Sequence, residues 1–146
     1  MIYLAGPLFT AAERQFNAQL AAALQQRLGE EVFLPQERCS SCVSSREIFA
    51  CCRDGIDRSK LLMAVLDGPD ADSGTCFEAG YAHAKGIPVI GIRTDFRQSC
   101  DDGGLNLMLS QSCMEVVAVS SLDSIDCVRD IVDAIEKIRR SFKADR

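Results

Sequence analysis

The chain has 146 residues, 47% of them apolar, enough for one compact domain with a real core, and its net charge of -5 excludes the basic footprint that a nucleic-acid backbone or an anionic membrane surface would demand. No stretch approaches the roughly 20 apolar residues of a membrane span, and Met1 runs directly into a strand pattern without the basic region and cleavage site of an export signal, so the expected location is the cytoplasm. Eight cysteines beside so ample a core point to reduced thiols and not to a disulfide framework.

In chain order, Ile2 to Ala5 reads as a short strand ending at Gly6-Pro7. The helical spacing of Phe16, Leu20, Ala23, Leu24 and Leu28 then predicts a helix from Thr10 to Leu28, stopped by Gly29. Val32 to Leu34 before Pro35 is a second strand, Gln36 to Ser44 a loop of serines and cysteines, and Ser45 to Ser59 a second helix with Ile48, Phe49, Cys52 and Ile56 turned inward. Leu61 to Leu66 is apolar throughout, as expected of a strand covered on both faces. A helix then runs to Lys85 and stops at Gly86, where a residue without a β-carbon takes the left-handed conformation. Ile87 to Ile92 is a fourth buried strand, Arg93 to Leu107 a long loop, Glu115 to Val119 a last strand, and Ser124 to Phe142 an amphipathic final helix. Alternation of strand and helix implies a single-domain α/β fold. Its expected form is a mostly parallel five-stranded sheet with helices on both faces, flavodoxin-like or Rossmann-like.

The segment with the most chemistry is Asp67-Gly68-Pro69-Asp70-Ala71-Asp72-Ser73-Gly74, which leaves the third strand and leads into the helix that carries Glu78. In open α/β sheets ligands sit at the carboxyl ends of the strands, so this acidic loop marks a candidate site. Gly6, with Pro7, and Gly74 both follow a strand end and would let backbone approach a ligand closely. Neither belongs to a dinucleotide fingerprint or a Walker loop. Glu78 has two readings. Thr75-Cys76-Phe77-Glu78 matches a capping box, in which the glutamate is consumed by the backbone of its own helix. Alternatively, the small residues Gly74, Ala79, Gly80, Ala82 and Ala84 leave a recess in which a carboxylate is a nucleophile or base. Asp72 is a turn or cap residue or a sugar-hydroxyl acceptor. Asp54 pairs with Arg58 at i, i+4 spacing or serves the site. Tyr3 is a core aromatic or a phenol that reaches a carboxylate on the neighbouring third-strand loop. His83 reads as a surface residue, and no Gly-x-Ser-x-Gly elbow accompanies it. Cys39-Ser40-Ser41-Cys42 followed by Cys51-Cys52 has only part of a zinc-ligand spacing, so no metal and no cofactor is expected.

Ile2-Tyr3-Leu4-Ala5-Gly6-Pro7-Leu8-Phe9, the block from Asp72 to Ala82, and Leu105-Asn106-Leu107-Met108-Leu109 together resemble the nucleoside 2-deoxyribosyltransferase family, in order and spacing, across nearly the whole chain. The resemblance implies transfer of 2-deoxyribose between nucleobases by double displacement with retention. Glu78 matches the family nucleophile, Asp54 the carboxylate that contacts the base and helps protonate it, Asp72 a sugar-hydroxyl ligand and Tyr3 the tyrosine that orients the nucleophile. Asn106 and Met108 match the pair that reaches a neighbouring subunit's site, which implies a homo-oligomer with shared sites. The expected partners are a deoxyribonucleoside and a free nucleobase, with no nucleic acid and no membrane. Two features depart from the family: Ser59-Lys60 precedes the third strand where an aspartate is common, and the loop from Pro35 to Arg46 matches nothing identifiable. Three alternatives stand beside this reading. They are hydrolysis of nucleoside 5′-monophosphates, for which the apolar first loop with only Arg14 nearby supplies few phosphate donors; a non-catalytic nucleoside or nucleotide sensor; and a cysteine-rich metal or redox module.

Overall fold

The computed structural model of the protein describes residues 1–95, 97, 104–120 and 126–144, the side chains of 141–144 excepted. Five strands form one all-parallel sheet in the order β2-β1-β3-β4-β5: β1 (Ile2–Ala5), β2 (Val32–Phe33), β3 (Leu61–Val65), β4 (Val89–Arg93) and β5 (Glu115–Ala118). Between them run α1 (Ala11–Leu28), α2 (Pro35–Arg38), α3 (Ser45–Asp57), α4 (Ser73–Ala84), α5 (Leu107–Ser112) and α6 (Cys127–Ala144). β1 lies beside both β2 and β3, with Tyr3 opposite Phe33 on one side and Leu62 on the other. The chain therefore reverses its direction of travel across the sheet at β1, and the crevice beyond the carboxyl ends of β1 and β3 is where such sheets bind ligands.

Alternation along the strands divides the core in two. Ile2, Leu4, Met63, Val65, Ile90 and Ile92 face α1 and α6 and meet Leu20, Leu24, Ile131 and Ile135. Tyr3, Ala5, Leu62, Ala64 and Leu66 face the other way, toward Ile56 of α3 and Ala79 and Ala82 of α4. α1 begins at a complete capping box, Thr10 accepting from the Glu13 N–H while Glu13 Oε2 accepts from the Thr10 N–H at 2.7 Å, and ends at Gly29 with φ 63°. Gly86 closes the α4 turn in the same left-handed way, φ 72°.

Several boundaries differ from the sequence reading. The loop expected from Gln36 opens instead with α2, because Pro35 at the first helical position presets φ and lacks the N–H that would go unpaired there. α5 occupies residues between the expected loop and β5, its start fixed by the Asn106 side chain accepting from the Met108 N–H at 2.9 Å. Ile48 and Phe49, expected to turn inward on α3, are both substantially exposed. Much of the expected 93–107 loop, and residues 124–125 of the expected final helix, lie outside the described residues. Among the described residues no helix is long and apolar enough to cross a membrane.

Candidate active site

Tyr3 is held from three sides before it meets any other polar group. The parallel ladder fixes its backbone, its ring is fully buried, and Phe33 stacks on it at 5.2 Å with planes 12° apart. Phe33 is in turn pressed by α3 at Gly55, where an added β-carbon would lie 2.7 Å from the Phe33 ring. Only glycine lets the helix come this close. The hydroxyl of Tyr3, so placed, donates to Glu78 Oε1 at 2.5 Å.

Glu78 reaches that hydroxyl because α4 starts earlier than the capping-box reading requires. Asp72 is the N-cap, its Oδ2 accepting from the Thr75 N–H at 2.9 Å and from the Thr75 hydroxyl at 3.1 Å. Thr75 is thus the third helical residue, and Glu78, the sixth, is beyond reach of the helix start. The capping box is overturned, and the cap reading of Asp72 is the one observed. Gly74 serves the same cap, since a β-carbon there would stand 3.1 Å from Asp72 Oδ2. Ala79 and Ala82, fully buried against the sheet, bring the helix close enough for Glu78 to meet Tyr3.

A cavity of about 430 Å³ opens beside this pair, between α3 and α4. Its walls are apolar and aromatic: Ile48, Phe49, Cys52 and Ile56 from α3, Phe77 and Tyr81 from α4, with Glu78 the carboxylate among them. Phe49 and Phe77 lie 5.9 Å apart and Phe77 stacks on Tyr81 at 6.3 Å, yet Phe49 and Phe77 remain 51% and 55% exposed. A run of half-exposed rings suits a flat aromatic ligand. Burial pushes the Glu78 carboxyl up to about 7; the negative charge of Asp72 adds to the rise and the Tyr3 hydrogen bond opposes it. Burial, and then the adjoining Glu78 charge, hold the Tyr3 phenol far above its usual range, so it remains a donor. A carboxylate oriented by a neutral phenol, in a recess where its charge is poorly solvated, is equipped to attack an electrophilic carbon or to exchange a proton near neutral pH.

The other expected site residues are distributed as follows. Gly6 adjoins the crevice, but a β-carbon there would meet Asn17 Oδ1 at 3.1 Å and Val65 Cβ at 3.2 Å, so its smallness answers first to packing and not to the approach of a ligand. Asn17 also donates to the Pro7 carbonyl at 2.8 Å, fixing that turn. Asp54 points away from the cavity: its side chain is 56% exposed and accepts from Arg53 at 2.7 Å, while Arg58 bonds only its backbone carbonyl. The expected Asp54–Arg58 side-chain pair is therefore replaced by one with Arg53, which itself lines the cavity. Asn106 and Met108 lie with His83 around a second cavity of about 650 Å³ on the other flank of α4, and Met108 is 78% exposed. Within one chain they do not meet Glu78. His83 is exposed, as expected, with Nδ1 3.2 Å from the Ser112 carbonyl.

Two roles in the site escaped the sequence reading. One is Asp67, whose carboxylate is spent on joining loops: it accepts from the Thr94 N–H at 2.6 Å, the Thr94 hydroxyl at 2.5 Å and the Asp95 N–H at 2.9 Å. Buried Arg93 reinforces that joint by donating to the Leu66 carbonyl at 2.8 Å and the Arg97 carbonyl at 2.9 Å. The other is the cavity wall itself. The apolar stripe at 48, 49, 52 and 56 was the available signal, but a stripe facing a cavity and one facing a core look alike in sequence.

Residues 2–114 match the family model described as nucleoside 2-deoxyribosyltransferase. A conserved protein from Enterococcus faecalis V583 is similar in structure with TM-score 0.72 at 32% identity, over 93% of this chain and 96% of that one. A 2-deoxyribosyltransferase from Bacillus psychrosaccharolyticus is similar with TM-score 0.65 at 25% identity, over 79% of this chain and 83% of that one. A CMP N-glycosidase from Clostridium botulinum has TM-score 0.64 at 16% identity over 94% and 98%, which speaks for the fold alone. No curated protein sequence matches.

Proposed function

The chain belongs to the nucleoside 2-deoxyribosyltransferase family, and we propose that it cleaves the N-glycosidic bond of a 2′-deoxynucleoside and passes the deoxyribose to a second nucleobase through a covalent intermediate on Glu78. The observation that carries this reading is the Glu78 carboxylate itself, bonded by Tyr3 at 2.5 Å and facing an aromatic cavity of about 430 Å³.

The donor's base lies against Phe49 and Phe77, with the anomeric carbon toward Glu78. As the base departs, positive charge develops at that carbon, and the carboxylate stabilises it and then collapses onto it. A 2-deoxy sugar lacks the electron-withdrawing hydroxyl next to the reacting carbon, so this charge forms more readily than on ribose. Glu78 must be ionised to act, and the Tyr3 hydrogen bond favours the ionised form against the burial that opposes it. Tyr3 also leaves the second carboxylate oxygen to the sugar. Asp72 reads as the sugar-hydroxyl ligand through Oδ1, since its other oxygen holds the helix start. In retaining glycosidases a second carboxyl about 5 Å from the nucleophile protonates the leaving group. Asp54 is assigned that role, which requires its bond to Arg53 to open as the base enters. Asn106 and Met108, on the far flank of α4, serve the site of a neighbouring copy, so the working unit is a homo-oligomer.

Water attacking the same intermediate would make the protein a hydrolase, and the fold shared with a CMP N-glycosidase keeps that outcome in the test. The protein is incubated with 2′-deoxyadenosine or thymidine, with and without a second free base, and products are followed by chromatography. New nucleoside only in the presence of acceptor is expected. Free base released equally without acceptor identifies a hydrolase, and no turnover over a panel of nucleosides and nucleotides refutes the catalytic reading in favour of a sensor.

A further inference from the structure

Four cysteines, at positions 39, 42, 51 and 52, collect on the flank of α3 that adjoins Tyr3, and the chemistry above uses none of them. All four interact: Cys39 with Cys51 and with Cys52, whose Sγ lies 3.8 Å from its own, and Cys42 with Cys51. They differ in access. Cys52 lines the Glu78 cavity and interacts with both Tyr3 and Glu78, whereas Cys39 is buried behind it, next to the end of α2. Among the described residues no three His, Cys, Asp or Glu side chains converge as a metal ion would need.

We propose that Cys52 and Cys39 are a reversible oxidation site, in which a hydroperoxide entering the cavity oxidises Cys52 and Cys39 then closes a disulfide with it. In the first step the Cys52 sulfur takes one oxygen of the peroxide to become a sulfenic acid, and the other oxygen leaves as water or an alcohol. In the second the Cys39 sulfur displaces that hydroxyl, forming the S–S bond and releasing water. Overall two thiols lose two electrons and two protons to the peroxide. Bonded sulfurs sit about 2.05 Å apart, so the pair must close by about 1.8 Å from its present 3.8 Å. Burial raises both thiols above their usual range, so the attacking thiolate is scarce at neutral pH and the bond forms slowly. The geometry gives the device its consequence: the disulfide turns the Cys52 sulfur away from Tyr3 and alters the cavity beside Glu78. That consequence rests on the N-glycosidic reading; the disulfide does not.

The reduced protein is treated with hydrogen peroxide, remaining thiols are alkylated, and a tryptic digest is read by mass spectrometry. Peptides 39–46 and 47–53 are expected to appear joined, with the mass of two hydrogens lost, and to separate on treatment with dithiothreitol. Each peptide carries a second cysteine, so the digest is repeated on the Cys42→Ser/Cys51→Ser double variant, whose two peptides keep only Cys39 and Cys52 and in which the link is expected to persist. A link lost in that double variant, or peroxide-treated wild type with unlinked peptides, overturns the proposal, and the second outcome needs no variant. In linked wild-type protein, deoxyribosyl-adduct formation is expected to fall at least about tenfold, the scale on which a displaced catalytic geometry acts, and to return on reduction. Unchanged adduct formation in fully linked protein overturns the effect on the cavity. A reduced protein that forms no adduct at all refutes the N-glycosidic reading and leaves the digest to decide the disulfide alone.

Discussion

Strand β1 sends Ile2 and Leu4 to one face of the sheet and Tyr3 and Ala5 to the other, and the helices that meet them differ accordingly. Against Ile2 and Leu4, α1 and α6 supply Leu20, Leu24, Ile131 and Ile135, all fully buried, and Arg27 joins the two helices across their outer edge by reaching Asp133 at 2.8 Å and Glu136 at 3.2 Å. Against Tyr3 and Ala5, α3 and α4 supply one large aliphatic, Ile56, and otherwise Gly55, Ala79 and Ala82, a cluster of thiols and a carboxylate. Large aliphatic side chains from both helices fill one side; on the other, Gly55, Ala79 and Ala82 draw two helices near the sheet, while Ile48, Phe49, Phe77 and Tyr81 wall a cavity between them. The first face is built for stability. On the second, a poorly solvated charge is tolerated because the first supplies the stability it lacks, the usual relation between an active site and its scaffold.

The largest effect expected from breaking this division is on chemistry alone. Glu78→Ala should abolish the deoxyribosyl adduct and lower turnover by about a thousandfold or more, the scale of removing a covalent nucleophile. Mass spectrometry and product chromatography read it, and an adduct that persists would move the nucleophile elsewhere. The opposite cut is Leu24→Ala in the aliphatic face. It should cost about 2–5 kcal/mol in denaturant unfolding, while the pH profile of the surviving folded enzyme stays where it was.

Glu78→Gln tests whether the two faces trade against each other. The folded Glu78 pKa of about 7 lies above its ordinary 4.5. Between those values the folded state binds more protons than the unfolded one, so the parent loses stability as pH rises through this window. A shift of that size corresponds to about 3 kcal/mol when complete. The glutamine variant escapes the loss: it should be more stable than the parent by up to about 3 kcal/mol at pH 8 and show no such gain at pH 4. Equal stability differences at both pH values would show that Glu78 is not strained by burial. Tyr3→Phe acts on the same group from the other side. Its hydroxyl favours the ionised carboxylate, so its loss should move the rising limb of adduct formation from near pH 7 upward by about one to two units, the worth of a hydrogen bond to a charge.

The sequence made β1, β3 and β4 legible because each carries a run of apolar residues that a parallel sheet buries on both faces, and Gly29 and Gly86 marked their helix ends through a conformation other residues avoid. It made Glu78 and Tyr3 legible as candidates, but not as a pair. Their contact joins residues 75 positions apart, and whether Glu78 caps its helix or faces the cavity turns on a start at Ser73 that Asp72, and not Thr75, determines. The cavity wall was illegible for a different reason. Ile48 and Phe49 have the spacing of core residues, yet they face the cavity they share with Phe77 and Tyr81 of α4 and stay half exposed. Asp67 looked like one more acid of the site, and only the arrival of β4's end beside it shows that its oxygens hold Thr94 and Asp95.

The smallest expected effect belongs to Asp54, and helix geometry explains why. Successive residues of α3 turn by about 100°, so Asp54 stands about 200° round the axis from Cys52. Since Cys52 lines the cavity, Asp54 faces largely outward, where it meets Arg53 instead of Glu78. An exposed pair of this kind adds little to stability, and Asp54→Asn should change unfolding by less than about 0.5 kcal/mol. Its effect on rate should be selective. A well-placed acid gives a hundredfold or more, but one that must first release Arg53 gives less, so a slowing of about tenfold is expected for adenine, a poor leaving group, and none for a base made electron-poor by substitution. Parallel slowing of both substrates would mean that Asp54 shapes the α3 wall through Arg53 and donates no proton, and the departing base would then have to draw its proton from a neighbouring copy or from solvent.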